Sequence, residues 1–153
     1  MPVSNFHETA FTVINRVLCD GAFIFIDPMV NEAIPEDTEW SPVCTVITFS
    51  GYHQGSMSLW CEEPFLHLAA ANLLGQDENS PDAHEKGRDA IKEILNMIAG
   101  NLLSEIFGSQ PIFDLGLPAV VSEEEAEEQH RKAESLWVEA EGHPVLFTFA
   151  LDE

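Results

Sequence analysis

Asp89-Ala-Ile-Lys-Glu93-Ile-Leu-Asn96-Met-Ile-Ala-Gly100-Asn101 is the stretch on which the reading of this chain turns. Ile91, Ile94, Leu95 and Ile98, with Leu102 and Ile106 beyond, recur at three- and four-residue spacing and predict an amphipathic helix with one buried stripe. Asp89, Glu93, Asn96 and Gly100 follow a second series, i, i+4, i+7 and i+11. At about 3.6 residues per turn that series points roughly 180° away from the stripe. A carboxylate and a carboxamide therefore stand one turn apart on the exposed face, beside a residue without a side chain. Such a surface is shaped to enter a cavity in another molecule.

Outward from this helix, which the pattern extends from about Asp82 to Phe107, the chain alternates between two periods. Ala10, Val13, Ile14 and Val17 predict a first helix from Asn5 to Leu18, with Asn5 or Ser4 as N-cap and Asp20-Gly21 as its break. Residues 22–26 then read as a buried strand and 30–42 as an acidic, proline-bearing loop. Strands are expected at 43–49 and 56–60, joined by a turn across Gly51 to Gly55. Pro64, in a first-turn position, starts a helix that runs to Leu74, and 75–81 forms a polar linker. Beyond the long helix come a strand over 113–121 and an acidic run over 123–134, a solvated helical turn or a hairpin loop whose charge serves solubility. Residues 136–140 and 145–151 close the chain as a hairpin.

Helix–strand–strand–strand thus occurs twice, in halves of about 5–61 and 82–153, with an extra helix between them. The expected architecture is α/β of the α+β type: a mainly antiparallel sheet with two long helices on one face, in one domain spanning 1–153. Superposing the two helices sets Glu8 on Asp89, Thr12 on Glu93 and Asn15 on Asn96. The first copy keeps the amide and lacks the carboxylate, so Thr12 and Asn15 would mark a degenerate second site.

Bulk properties narrow the function classes. The 153 residues carry 27 acidic and 6 basic side chains, a net charge of −21. That surface repels phosphate backbones and anionic lipid, which argues against nucleic-acid and membrane binding. Cys19, Cys44 and Cys61 are odd in number and lack CxxC spacing, which points to a reducing compartment rather than a disulfide scaffold. No signal peptide and no membrane-length apolar run is visible, so the chain reads as cytoplasmic. Its histidines show neither HxxxH nor HExxH spacing, and no phosphate-loop, dinucleotide or nucleophile-elbow motif occurs. A metal site built by this chain is therefore not expected, and the three tryptophans, Trp40, Trp60 and Trp137, are expected in the core or at an interface.

The pattern Asp89-x3-Glu93-x2-Asn96-x21-Pro118, with Gly100-Asn101 appended, resembles the signature of the CheC/CheX/FliY chemotaxis phosphatases. One intact signature rather than two, with Asn5-Phe6-x-Glu8 opening the first helix, points to the CheX branch and its CheC-like fold. The resemblance implies an enzyme that speeds hydrolysis of the aspartyl phosphate on a CheY-like response regulator. Glu93 and Asn96 would be catalytic: Asn96 orients the attacking water, and Glu93 pairs with the receiver's lysine. Asp89, Gly100, Asn101 and Pro118 would support docking. Mg²⁺ would come from the receiver, none being bound by this chain, and a homodimer formed through the sheets is implied. Two readings compete: a non-enzymatic adaptor that sequesters a receiver or a flagellar switch component, and an acidic regulatory subunit with no phosphorelay role.

Overall fold

The computed structural model describes residues 5–29, 34, 39–77, 80–130 and 133–152. Most of the expected 30–42 loop lies outside these residues. The first half supplies α1 (Phe6–Ala22), β1 (Ile26–Pro28), β2 (Val43–Gly51) and β3 (Gly55–Cys61). Two connecting helices follow, α2 (Glu63–Leu74) and α3 (Pro81–Glu85). The second half supplies α4 (Gly87–Phe107), β4 (Phe113–Leu115), β5 (Ala119–Val121), α5 (Glu123–His130), β6 (Glu134–Ala140) and β7 (His143–Leu151). All pairings are antiparallel and make one seven-stranded sheet in the order β1-β6-β7-β3-β2-β4, with β5 also on β2. Exchanging the two halves leaves that order unchanged about the central β7–β3 pair.

α1 and α4 lie on one face of the sheet. Ala10, Val13, Ile14 and Leu18 from α1 meet Ile91, Ile94, Leu95, Ile98 and Leu102 from α4 in one core. From the sheet that core takes Ile47, Met57, Leu59, Phe147 and Phe149, the alternate residues of β2, β3 and β7 that point to the helices.

Several expected boundaries moved, each for a tertiary reason. α1 does not break at Asp20-Gly21. Gly21 stays helical because it lies against α4, where a Cβ would sit 3.5 Å from Met97 Cε. The helix ends instead at Phe23, in the left-handed region at φ 54°. There the Phe23 and Ile24 amides donate to the carbonyls of Cys19 and Leu18 at 3.2 and 2.9 Å, closing the last turn. The strand expected over 22–26 is accordingly displaced to β1, which shares only Ile26 with it, since Ala22 belongs to the helix and 23–25 form its turn. Asn5 occupies the N-cap position of α1 without a side-chain capping bond.

The long helix expected from Asp82 divides at Lys86 (φ −94°, ψ 5°) into α3, capped by Ser80, and α4. Gly87 lets α4 start hard against α2, where a Cβ would meet Leu66 Cβ at 3.1 Å. The strand expected over 113–121 is two short strands. Gly116 turns in close to β2, its amide donating to Thr48 O at 2.8 Å, and 116–118 leave the ladder.

The acidic run forms α5, and its role exceeds solubility. Val121, Cys44, Trp60, Leu146 and Trp137 are successive cross-strand neighbours on the sheet face away from α1 and α4. Fully buried Ala126 sets α5 on this row, and Trp40 packs on Trp137 with ring centroids 5.4 Å apart. The tryptophans thus form a second, smaller core. Trp60 Nε1 donates to Ser58 Oγ at 2.8 Å, and Ser58 shares a hydroxyl bond with Thr148 across the strands.

Burial, and secondarily the carboxylates of Glu123 and Glu127, push the Cys44 thiol from an ordinary 9.0 up to about 12. The folded thiol holds its proton when the unfolded one has lost it, so this group's contribution to stability falls as pH rises from 9.0 to about 12. Iodoacetamide at pH 8 is expected to modify half-buried Cys19 and spare Cys44 and Cys61. Ala126→Asp buries a charge under α5, undocks that helix and makes Cys44 reactive, as mass spectrometry of the alkylated protein will show. Protection of Cys44 in that variant would contradict the role given to α5.

Candidate functional site

The buried stripe of α4 fixes how that helix is rotated, and the rotation decides what faces solvent. Ile91, Ile94, Leu95, Ile98 and Leu102 are fully buried. On the opposite side Asp89, Glu93, Asn96 and Asn101 are exposed, and Gly100 is half-buried. A Cβ at Gly100 would meet nothing within 4 Å, so its glycine answers no packing demand inside this chain. It leaves bare backbone beside a concavity of about 190 Å³ lined by Leu103, Ser104, Pro111, Phe113 and Leu115.

Hydrogen bonding separates the polar residues of this ridge. Among the described residues the side chains of Glu93 and Asn96 make no hydrogen bond or ion pair. Asn101 differs: its Nδ2 donates to Met97 O at 2.8 Å, one turn back in the same helix. Glu93 and Asn96 are thus a charged acceptor and a neutral donor–acceptor, held on a rigid helix with their polar groups free for a partner. Pro118 is half-buried on the 116–118 link between β4 and β5, where the Gly116 amide anchors the chain to β2.

The corresponding face of α1 is more engaged within the chain. Thr12 Oγ1 donates to Glu8 O at 2.9 Å, Asn15 is half-buried, and the Arg16 guanidinium sits 3.6 Å from a Glu105 carboxylate oxygen. A cavity of about 380 Å³ opens beside Glu8 and Thr12, floored by Phe11, Leu136 and Trp137. It is larger than the one at Gly100, and neither cavity is lined by Glu93 or Asn96. Among the described residues no group of three or more His, Cys, Asp or Glu side chains is placed to hold a metal, and no helix is long and apolar enough to cross a membrane.

Sequence reasoning passed over the surface at the end of α1. Phe23 and Phe25 are 71% and 64% exposed. No signal in the sequence marks it, since Asp20-Gly21 reads as the end of α1.

Residues 43–141 match the family model described as chemotaxis phosphatase CheX. Among solved structures, the chemotaxis protein CheX of Vibrio vulnificus is 21% identical over 97% of this chain and 97% of its own, with a TM-score of 0.71. The CheX–CheY–BeF3–Mg²⁺ complex of Borrelia burgdorferi matches at 20% identity over 97% and 99% of the two chains, with a TM-score of 0.68. FliY of Thermotoga maritima is more distant, at 13% identity over 95% and 87%, with a TM-score of 0.59. At these identities the likeness to solved structures establishes the fold. No curated protein sequence matches the chain.

The two faces of α4 predict opposite responses to substitution. Ile94→Ala should destabilise by about 2–5 kcal/mol, as a cavity in a closed core does. Glu93→Ala and Asn96→Ala, one residue before it and two after, should stay within about 0.5 kcal/mol of the parent. Thermal or urea unfolding of the three variants checks this. A large loss from Asn96→Ala would mean that the amide belongs to the fold.

Proposed function

Because the chain belongs to the chemotaxis phosphatase CheX family, we propose that it accelerates hydrolysis of the aspartyl phosphate on a CheY-like receiver domain. The observation that carries this reading is the unpartnered Glu93–Asn96 pair on the exposed face of α4. An aspartyl phosphate is an acyl phosphate. Water attacks phosphorus, the bond from phosphorus to the aspartyl oxygen breaks, and the carboxylate leaves as inorganic phosphate is released. The leaving group is good, so most of what a helper can add is positioning and charge placement.

In the proposed complex α4 lies across the receiver's site and Asn96 projects into it. The carboxamide oxygen accepts a hydrogen bond from the attacking water while the amide nitrogen remains a donor, which holds the water in line without adding negative charge beside the phosphoryl oxygens. Glu93, one turn earlier, pairs with the receiver's lysine and fixes the approach of Asn96. Gly100 lets the two backbones approach, Asp89 and Asn101 border the contact, and Pro118 stiffens the link that flanks it. The receiver brings its own Mg²⁺, which neutralises phosphoryl charge. This division agrees with the Borrelia burgdorferi complex, which contains CheY, BeF3 and Mg²⁺. The setting is the cytoplasm, where such receivers work. Thr12 and Asn15 are assigned no activity.

The same reading includes a homodimer. The edge of the sheet at β4 and β5 exposes Leu115 and Val120, and Ile112 and Leu117 beside it are 80% and 93% exposed. An apolar open edge of this kind invites pairing with a second copy.

With a phosphorylated CheY-type receiver and Mg²⁺, Asn96→Ala is expected to lower kcat about 100–1000-fold, the usual cost of a lost positioning group. Glu93→Ala should mainly raise KM, and more steeply at low salt, where the ion pair is least screened. Full activity in both alanine variants sinks the assignment, and tight binding without faster phosphate loss selects the sequestering adaptor. Light scattering checks the dimer: the parent should run at twice the chain mass, and Leu115→Arg with Leu117→Arg should run as monomer.

A further inference from the structure

The surface beside the Glu93–Asn96 ridge carries two phenylalanines that the fold does not use. α1 and α4 run antiparallel, since Arg16 faces Glu105 while Gly21, further along α1, lies against Met97, nearer the start of α4. The end of α1 therefore arrives next to the residue that follows Asn96.

That segment is firmly held. Asn72 Nδ2 from α2 donates to Ala22 O at 2.8 Å, and the Phe23 and Ile24 amides close the helix on Cys19 and Leu18. The Phe25 amide donates to Glu141 Oε2 at 3.2 Å, and the Glu141 amide donates back to Phe25 O at 3.3 Å. Between the two phenylalanines Ile24 is fully buried, so one side chain enters the core and its neighbours on either side are turned out.

Phe23 is the informative residue. At φ 54° it sits where glycine is favoured and a β-carbon is strained. Its ring, 71% exposed, returns little burial in exchange for that strain. A scattered exposed apolar residue needs no explanation. A strained one, next to a second exposed phenylalanine, on a chain of net charge −21, is a different matter.

We propose that Phe23 and Phe25 form an apolar shoulder of the receiver-docking surface, packing on the rim of the receiver's phosphoaspartate site while Glu93 and Asn96 enter it. This rests on the function proposed above and adds a specificity determinant to it. Aromatic side chains beside a polar, charge-paired contact are a common source of binding energy at such surfaces. Gly21, two residues before Phe23, lies against Met97, the residue after Asn96, so the shoulder adjoins the ridge and is committed to the same occupant. Receivers are then sorted by whether an apolar patch borders the lysine that Glu93 meets.

Phe23→Gly and Phe23→Asn test this, because both residues accept the left-handed backbone. Each should unfold at the parent's temperature or above it, since the strain is eased. Each should raise KM for the phosphorylated receiver by about tenfold, with kcat within about twofold. Calorimetric Kd for the same CheY-type receiver, loaded with BeF3 and Mg²⁺, should rise in parallel, and further with Phe25→Ser added. An unchanged KM and Kd, with the parent still accelerating phosphate loss, overturns the shoulder and leaves the proposed function standing. A parent that does not accelerate phosphate loss overturns both. A halved molecular mass in the variants without a change in receiver binding assigns the phenylalanines to a second copy of the chain and also overturns the proposal.

Discussion

The rotational setting of α4 on the sheet governs both stability and the site. Five fully buried side chains, Ile91, Ile94, Leu95, Ile98 and Leu102, fix it. Each contributes about 1.5–3 kcal/mol by leaving water, an upper bound that still far exceeds the few tenths a solvated polar contact supplies. Turning the helix by one residue, about 100°, would carry Glu93 toward the core and the stripe toward solvent. The polar ridge therefore needs no bonds of its own to stay in place. Its side chains can remain unpaired within the chain because the apolar face alone holds the helix.

The two halves of the molecule apply this device unequally. α1 is held by Ala10, Val13, Ile14 and Leu18 much as α4 is by its stripe, and the sheet order is symmetric between halves. On α1, however, the outward face has been drawn into the chain's own bonding, with the Thr12 hydroxyl on Glu8 O and Arg16 beside Glu105. What α1 contributes to the surface near the ridge comes from its end, where Gly21 packs on Met97 and the chain turns at Phe23.

This contrast explains what could be read from the sequence. α4, α2 and the strands β2, β3, β6 and β7 were legible because each has enough residues for its period to show, and its inward face is apolar, with Thr45 of β2 as the exception. The Glu93–Asn96 ridge was legible for the same reason, being the complement of a clear stripe. Boundaries set by contacts between distant elements were not. Gly21 reads as a helix breaker, yet it lies inside α1, beside Met97 of α4. Gly87 reads as interior to one long helix, although the chain breaks at Lys86 so that α4 can begin against Leu66. Gly116 divides a strand because Thr48 draws its amide inward. α5 was hidden by its composition: seven of its eight residues are acidic or polar, and Ala126 alone ties it to the second core. Phe23 could not be picked out until the end of α1 was known.

The neutrality of Asn96 bears most directly on the proposed chemistry. Acidic residues outnumber basic ones 27 to 6, and Asp89 and Glu93 precede Asn96 on the same ridge. A further carboxylate at 96 would fold as well, since the amide makes no bond within the described chain. In the proposed complex it would work worse. A negative charge beside the phosphoryl oxygens would oppose the approach on which in-line attack depends, whereas the charge at Glu93, one turn away, is proposed to meet a lysine. Charge and neutrality are thus separated by a single helical turn. The buried backing of α4 would keep that separation constant in the proposed complex, so that the amide would arrive where it can hold the water.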